Sequence, residues 1–454
     1  MKHSRILLVA TAIISTFNFQ LSTCFAQDFS VRFQGLSRGE LRYGGFSELD
    51  PSDEGHSHFV LGRYRLTGDY SSSNTNGGSP WLESRVTFQQ SGTWGMGAAG
   101  VSLYEGWVKL NAPKGWYAKI GRQVLAYDDE RIIGSNDWSM TAPTHDVLKL
   151  AYEGGGHKVH LLLAYNQNPE NMEGFTYYSD GNQPYKSMQT LWYHFDSHPH
   201  WLHKVADHGS APDAESLFGG SLLFMNIAMQ DEVNKVPKVR YQQLAGTHLT
   251  LNPGWLKAEG SFYYQFGEEE NGLPLSAFMG SVRMTVQPRN SYSFQGGYDY
   301  LSGDKYFAVP PRGSLGVVRH DTVRGFNPIY GSHHEFYGAM DFYYMSAYVR
   351  GFTPGLQNAW LGGSYSPVKG LDIKLAAHYY AMATTLPKVD KALGYAAEFS
   401  VSYALREDIS AECGYSYMHG TETMEFLKRV SDSQRLHWAY LMLVVNPTIF
   451  QSKK

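Results

Sequence analysis

Along most of the chain, apolar and polar residues alternate singly over long runs separated by turns. Leu256, Ala258, Gly260, Phe262, Tyr264 and Phe266 interleave with Lys257, Glu259, Ser261, Tyr263 and Gln265. Phe278, Gly280, Val282, Met284 and Val286 interleave with Ala277, Met279, Ser281, Arg283 and Thr285, and the same pattern runs through 371–380 and 409–417. Successive side chains of a strand point to opposite faces, so each run is a strand with one apolar and one polar face. A soluble sandwich alternates in the same way. Three features separate the two. The runs are about ten to fourteen residues long, against a usual ~5–6. Their apolar faces end in Tyr, Phe or Trp, as an interfacial girdle requires. The connections alternate between very short, as at 252–254, 287–289, 367–370 and 406–408, and long and polar. The pattern predicts an all-β, transmembrane antiparallel β-barrel of outer-membrane type with long extracellular loops.

Strand direction must alternate, and both termini of such a barrel are periplasmic, so the strands can be counted. They are predicted near 30–45, 57–70, 82–90, 101–110, 116–125, 145–154, 157–166, 187–196 and 216–229. The second half follows at 237–252, 255–267, 274–287, 290–302, 355–366, 369–382, 391–404, 407–419 and 434–447. Without 187–196 its two neighbours would run the same way, so the count itself calls for that strand. About eighteen strands is an even number, as single-chain bacterial barrels have, and gives a ring wide enough for an aqueous lumen.

Residues 1–26 are set apart. Lys2 and Arg5 precede an uncharged apolar run, Ile6 to Phe19, and Cys24-Phe25-Ala26 offers a cleavage site, the layout of a secretory signal peptide. Leu21 to Cys24 also reads as a lipobox with an ill-fitting Thr23. The barrel domain is then 27–454, in the cell outer membrane, with outer-membrane lipid around it and the barrel-assembly machinery as its folding partner. The last strand runs into Asn446-Pro447-Thr448-Ile449-Phe450 and four further residues, so a terminal aromatic assembly signal is slightly displaced.

Composition removes other classes. After residue 26 no stretch reaches the ~18 uninterrupted apolar residues of a membrane helix, and mean hydropathy is −0.36. Removing 1–26 takes two of the 38 basic residues and none of the 42 acidic ones, so the net charge goes from −4 to −6 and no nucleic-acid partner is expected. Only Cys413 remains, which allows no intrachain disulfide. The 32 Tyr, 24 Phe, 10 Trp and 47 Gly suit an all-β chain, and no repeat of propeller spacing is present.

Taking the polar faces as inward places Arg63, Arg65, Lys109, Lys149, Lys158, Arg240, Lys257, Arg283 and Lys374 in the lumen. Asp69, Glu105, Asp299, Asp372, Glu259, Glu398 and Glu412 join them. Wall charge biases which ions enter a pore, and nine bases against seven acids is a small basic excess. Arg63 and Arg65 share a face and form either a guanidinium ladder matched to carboxylate or phosphate, or cross-strand pairs with Asp69 or Glu105 that stiffen the wall.

Gly121-Arg122-Gln123, Asp128, Asp129, Arg131, Gly134, Asp137-Trp138, Ala142 and Asp146 together resemble the alginate export family of outer-membrane β-barrels, and 326–345 resembles a loop element of its Bacteroidetes-type members. The resemblance implies an eighteen-stranded passive conduit for an anionic polysaccharide or related solute, with a basic constriction. Carried over by position, Arg122, Asp129, Arg131, Asp137 and Trp138 form a cluster near that constriction. Asp128, Asp129 and Glu130 beside Arg131 can knot a loop inward, either to pin it or to meet solute. Arg122 breaks the alternation set by Lys119, so a bulge or the strand end is expected there. A dedicated polyuronate pore carries a strong arginine excess, which this near-balanced wall lacks.

The reading is therefore a porin or exporter for hydrophilic solutes, anionic ones among them, with no bond chemistry, cofactor or metal required. No Gly-x-Ser-x-Gly or His-Glu-x-x-His motif is present to support an outer-membrane lipase or deacylase. A non-conducting adhesive barrel is the other alternative. His194, His198, His200, His203 and His208 make a tract that is a solvated connection or a weak metal site. The connection 303–354 far exceeds the usual ~12–15 residues and is expected either to narrow the lumen or to face a partner.

Overall fold

The computed structural model describes residues 27–43, 57–72, 80–96, 100–168, 177, 183–197, 217–231, 236–289, 291–304, 321–343, 353–386, 389–428 and 435–452. Among these, eighteen antiparallel strands form one closed sheet. The first nine are β1 (Asp28–Tyr43), β2 (Ser57–Ser71), β3 (Leu82–Thr93), β4 (Ser102–Asn111), β5 (Trp116–Gln123), β6 (His145–Gly154), β7 (His157–Tyr165), β8 (Ser187–Ser197) and β9 (Phe218–Asp231). Then come β10 (Val236–Leu251), β11 (Leu256–Glu268), β12 (Pro274–Arg289), β13 (Tyr292–Leu301) and β14 (Leu356–Val368). β15 (Leu371–Ala381), β16 (Ala392–Arg406), β17 (Ile409–Gly420) and β18 complete the ring. β18 runs Leu436–Val445, breaks at Asn446 and Pro447, and resumes over Thr448–Gln451.

Each strand pairs with its sequence neighbours, and β1 closes the ring on both pieces of β18, with Leu41 opposite Ala439 and Ser30 opposite Gln451. Proline lacks the N–H that a ladder needs, which accounts for the break. The pairing survives it because the Phe33 amide donates to the Pro447 carbonyl (3.1 Å). Closure leaves no edge strand, the condition for placing a sheet in lipid.

The two faces separate as the alternation requires. Leu66, Phe88, Leu110, Ile120, Leu161, Phe262, Val282, Leu361 and Leu441 are exposed on the outside. Trp116, Trp255, Phe294, Tyr365, Tyr403 and Phe450 ring the end that carries the short turns, and Tyr165, Tyr264, Tyr298, Tyr379, Tyr395 and Tyr415 ring the other. These are aromatic girdles at two membrane interfaces.

The core sits inside the barrel. Toward the long-loop end the inward positions turn apolar: Met188, Met225, Ile227, Leu244, Ala277, Met279, Leu301 and Leu356 are buried. Against them pack Leu125, Ile132 and Ile133 from the β5–β6 connection and Phe326, Phe336, Tyr337, Met340 and Tyr343 from the β13–β14 connection. The described part of the 303–354 connection thus lies within the lumen, and its remainder is outside the described residues.

Candidate functional site

The two inward connections are built on each other. Ile133 and Tyr330 form a parallel bridge. The Gly134 amide donates to the Tyr330 carbonyl (2.9 Å), the Tyr330 amide to the Ile132 carbonyl (3.0 Å) and the Ser332 amide to the Glu130 carbonyl (2.9 Å). Glu130 Oε2 accepts from the Ser135 amide (2.8 Å) and the Ser332 hydroxyl (3.0 Å). The approach is close: a Cβ at Gly331 would lie 2.2 Å from the Arg131 carbonyl oxygen, so only glycine fits.

Arg131 ties this unit to the wall. Its side chain is 3% exposed and reaches Asp129 Oδ2 (3.1 Å) and Asp299 Oδ1 of β13 (2.8 Å), with the Phe336 ring 4.2 Å away. A buried guanidinium without carboxylates would cost several kcal/mol; with two, it is compensated. Burial alone would raise the Asp129 pKa, but Arg131, helped by His248, outweighs burial and holds the carboxyl below its usual range. Burial alone would lower the Arg131 pKa, and Asp299 and Asp129 reverse it, pushing it up. Asp128 accepts from the Trp192 indole of β8 (3.0 Å), and the Tyr127 hydroxyl meets His160 Nδ1 of β7 (3.1 Å).

The segment 137–140 lies on β1–β3. Arg63 donates to the carbonyl oxygens of Asp137 and Ser139 (2.7 Å each) and to Asp137 Oδ2 (3.2 Å), and Arg65 donates to Asp137 Oδ1 (2.6 Å). Trp138 stacks on His334 (4.3 Å between ring centroids), has the Arg38 guanidinium 4.0 Å from its ring, and meets Trp438 and Tyr440 edge-on. Arg63 and Arg65 are therefore spent on holding a connection rather than lined up as a free ladder. The wall partners considered from sequence, Asp69 and Glu105, instead bind Arg32 and Arg85.

Nearer the short-turn end a different feature appears. Lys109 of β4, Lys119 of β5 and Lys149 of β6 are directly opposite one another across the sheet, all facing inward. Lys109 pairs with Glu83 (3.0 Å) and lies 4.7 Å from the Tyr117 ring. Lys119 sits 3.8 Å over Trp107, and Lys149 5.2 Å from Tyr127. Among the described residues neither Lys119 nor Lys149 has a carboxylate within 4.0 Å. Like charges directly opposite in a sheet are destabilising, so this row is a cost to the fold.

The remaining candidates are dispersed. Arg240 pairs with Glu268 (3.0 Å) near the long-loop end, and Lys257 with Glu259 (3.0 Å) near the other. Arg283 lies 5.5 Å from both Phe336 and Trp360, and Lys374 is exposed between Ser364 and Ser400. Arg122 requires a correction. It shares the outward face with Ile120 and makes a two-pronged pair with Asp146 of β6 (2.9 and 2.7 Å), so it does not line the lumen. β5 ends one residue later at Gln123 without a bulge, and the register slip falls on β4 at Tyr104. His194 lies on β8 against Asp196 (3.1 Å), while the other four histidines of that tract are outside the described residues.

Lys119, Arg32, Arg38 and Arg85 also face the lumen and were not among the residues expected there. Lys119 was readable as inward from the alternation. Its significance was not, because it comes from the register that places it between two other lysines.

The chain matches the alginate export family over residues 98–404, and no curated protein sequence matches it. Its fold is shared with solved outer-membrane porins. The structure of OccK9 (OpdG) from Pseudomonas aeruginosa superposes with a TM-score of 0.59 at 13% identity, over 93% of this chain and 98% of that one. A BenF-like porin from Pseudomonas fluorescens Pf-5 gives 0.59 at 11% identity, over 93% and 99%. OccK2 (OpdF) from Pseudomonas aeruginosa, solved in complex with glucuronate, gives 0.59 at 12% identity, over 93% and 98%. With the closed barrel and the matched residues spanning its inward β5–β6 connection, the chain belongs to the alginate export family of outer-membrane β-barrels.

Proposed function

We propose that this outer-membrane channel passes small hydrophilic acids, with sugar acids of the uronate type as the solute class, and that residues 1–26 direct its export. The observation that carries the reading is the row Lys109, Lys119 and Lys149. Three ammonium groups opposed on one wall are kept at the expense of the fold, and an anion passing between them relieves their repulsion. Lys109 is balanced by Glu83, while Trp107 and Tyr127 hold Lys119 and Lys149 in place without neutralising them. The glucuronate bound in the OccK2 structure is an acid of the class proposed. Passage is diffusive: water fills the lumen, the inward connections set the constriction, and wall charge biases entry.

Swelling of proteoliposomes tests this. Glucuronate should enter several-fold faster than glucose, which is of similar size, and the Lys119→Gln/Lys149→Gln variant should remove the difference. Equal rates in the unaltered protein would exclude an acid-tuned path and leave an unselective pore.

A further inference from the structure

Two guanidinium groups, Arg63 and Arg65, lie side by side on the inward face of β2, 1% and 8% exposed. Between them they hold one carboxylate, that of Asp137, each taking a different oxygen. The Gln34 side-chain oxygen accepts weakly from both (3.3 and 3.4 Å), and the Tyr104 ring lies 3.7 Å from the Arg65 guanidinium. Two positive charges thus face one negative charge. Two further donors, Arg63 Nε and Arg65 Nη2, are buried with no hydrogen-bond partner among the described residues. Buried charged donors left unpaired are costly, and paired guanidiniums are shaped for a planar carboxylate. Asp137 itself is the exposed member, its side chain 49% accessible, so competing anions can reach it from the lumen.

We propose that Arg63 and Arg65 form a second carboxylate-binding site of the channel, that Asp137 occupies it as an internal stand-in for the solute, and that a solute carboxylate exchanging with Asp137 loosens Asp137 and Ser139 from β2. The choice of a carboxylate ligand rests on the acid-solute reading above; the masked site itself rests on the geometry of β2. The loosening is confined to Asp137 and Ser139, whose carbonyl oxygens Arg63 holds together with the Asp137 carboxylate; the Trp138 carbonyl accepts from Arg38 (3.1 Å) and the Met140 carbonyl from Gln89 (3.2 Å), and those bonds stay. Once the carboxylate is replaced, Arg63 can turn its donors to the new anion.

The test uses the full barrel folded in detergent, with Ser139→Cys as a reporter and Cys413→Ser to remove the other thiol. The rate at which a charged methanethiosulfonate reagent modifies position 139 is measured with sodium glucuronate, with sodium chloride at equal ionic strength, and with glucose. Glucuronate should speed modification by about tenfold, the factor carried by one charge-assisted hydrogen bond. Adding Asp137→Asn should give the fast rate without glucuronate and make the rate insensitive to it. A wild-type rate indifferent to glucuronate, or an Asp137→Asn rate no faster than wild type, overturns the proposal. Heat-modifiable mobility on electrophoresis verifies that each variant is folded. Because the reading needs no transport, failure here is distinct from failure of the lysine row, which the swelling assay reports.

Discussion

Arg131 spans two carboxylates from different parts of the chain, one two residues away and one on the facing wall. Replacing it with methionine keeps the bulk and strands both acids, which should cost about 3–5 kcal/mol. Hydrogen exchange over 125–135 should then rise while the strands stay protected; unchanged exchange would mean that apolar packing alone holds the connection. Acid tests the same link. Asp129 is held below the usual carboxylate range, so its contribution is present above the unfolded value of about 3.9 and is lost as pH falls through the lowered folded value. Protection of 125–135, corrected for intrinsic exchange, should therefore be flat from neutral pH to about 4 and fall below it. A loss beginning near neutrality would point to a histidine instead. At this scale the sequence was partly legible. The residues at 128–138 stood out as a group, but which acid Arg131 would meet depended on Asp299, far away in the chain. Arg122 was placed near the constriction by the resemblance alone; the parity of β5, which sets it on the face opposite Lys119, was the better guide.

At the scale of the strand, the lysine row sets function against stability. Lys119→Gln removes the middle charge, so the folded barrel should gain ~0.2–1 kcal/mol while its preference for anions falls. A variant both less stable and unchanged in selectivity would make Lys119 a structural residue. The alternation that defines β11 and β12 was plain in the sequence, and strand ends follow it to within a few residues. The upper lumen was also signalled: Ala277 and Met279 on the inward face of β12 are not what a water-filled wall needs, and they meet the inward connections instead. What no single strand could reveal is register, which alone sets Lys119 between Lys109 and Lys149. Phe336 is the ring that joins the inward connection to Arg131 and Arg283. Phe336→Ala should raise single-channel conductance by loosening that junction; an unaltered conductance would remove it from the constriction.

For the whole molecule, the alternating runs gave eighteen strands, and both termini on one side add only that the count be even, which is what called for the strand at 187–196. The way the long connections enter the barrel was not legible, because nothing in the alternation of a wall says what fills the space it encloses. These scales meet in an outer-membrane barrel whose lumen is narrowed by its own connections and whose open wall carries a basic row of which Lys109 alone is paired with a carboxylate. The most direct measurement is the reversal potential of the purified barrel in a planar bilayer under a KCl gradient, for the unaltered chain and for Lys119→Gln/Lys149→Gln. The unaltered chain should be anion-selective, and its reversal potential should collapse toward zero in the double variant. A cation-selective or unselective unaltered channel, or selectivity that survives the double substitution, would contradict this.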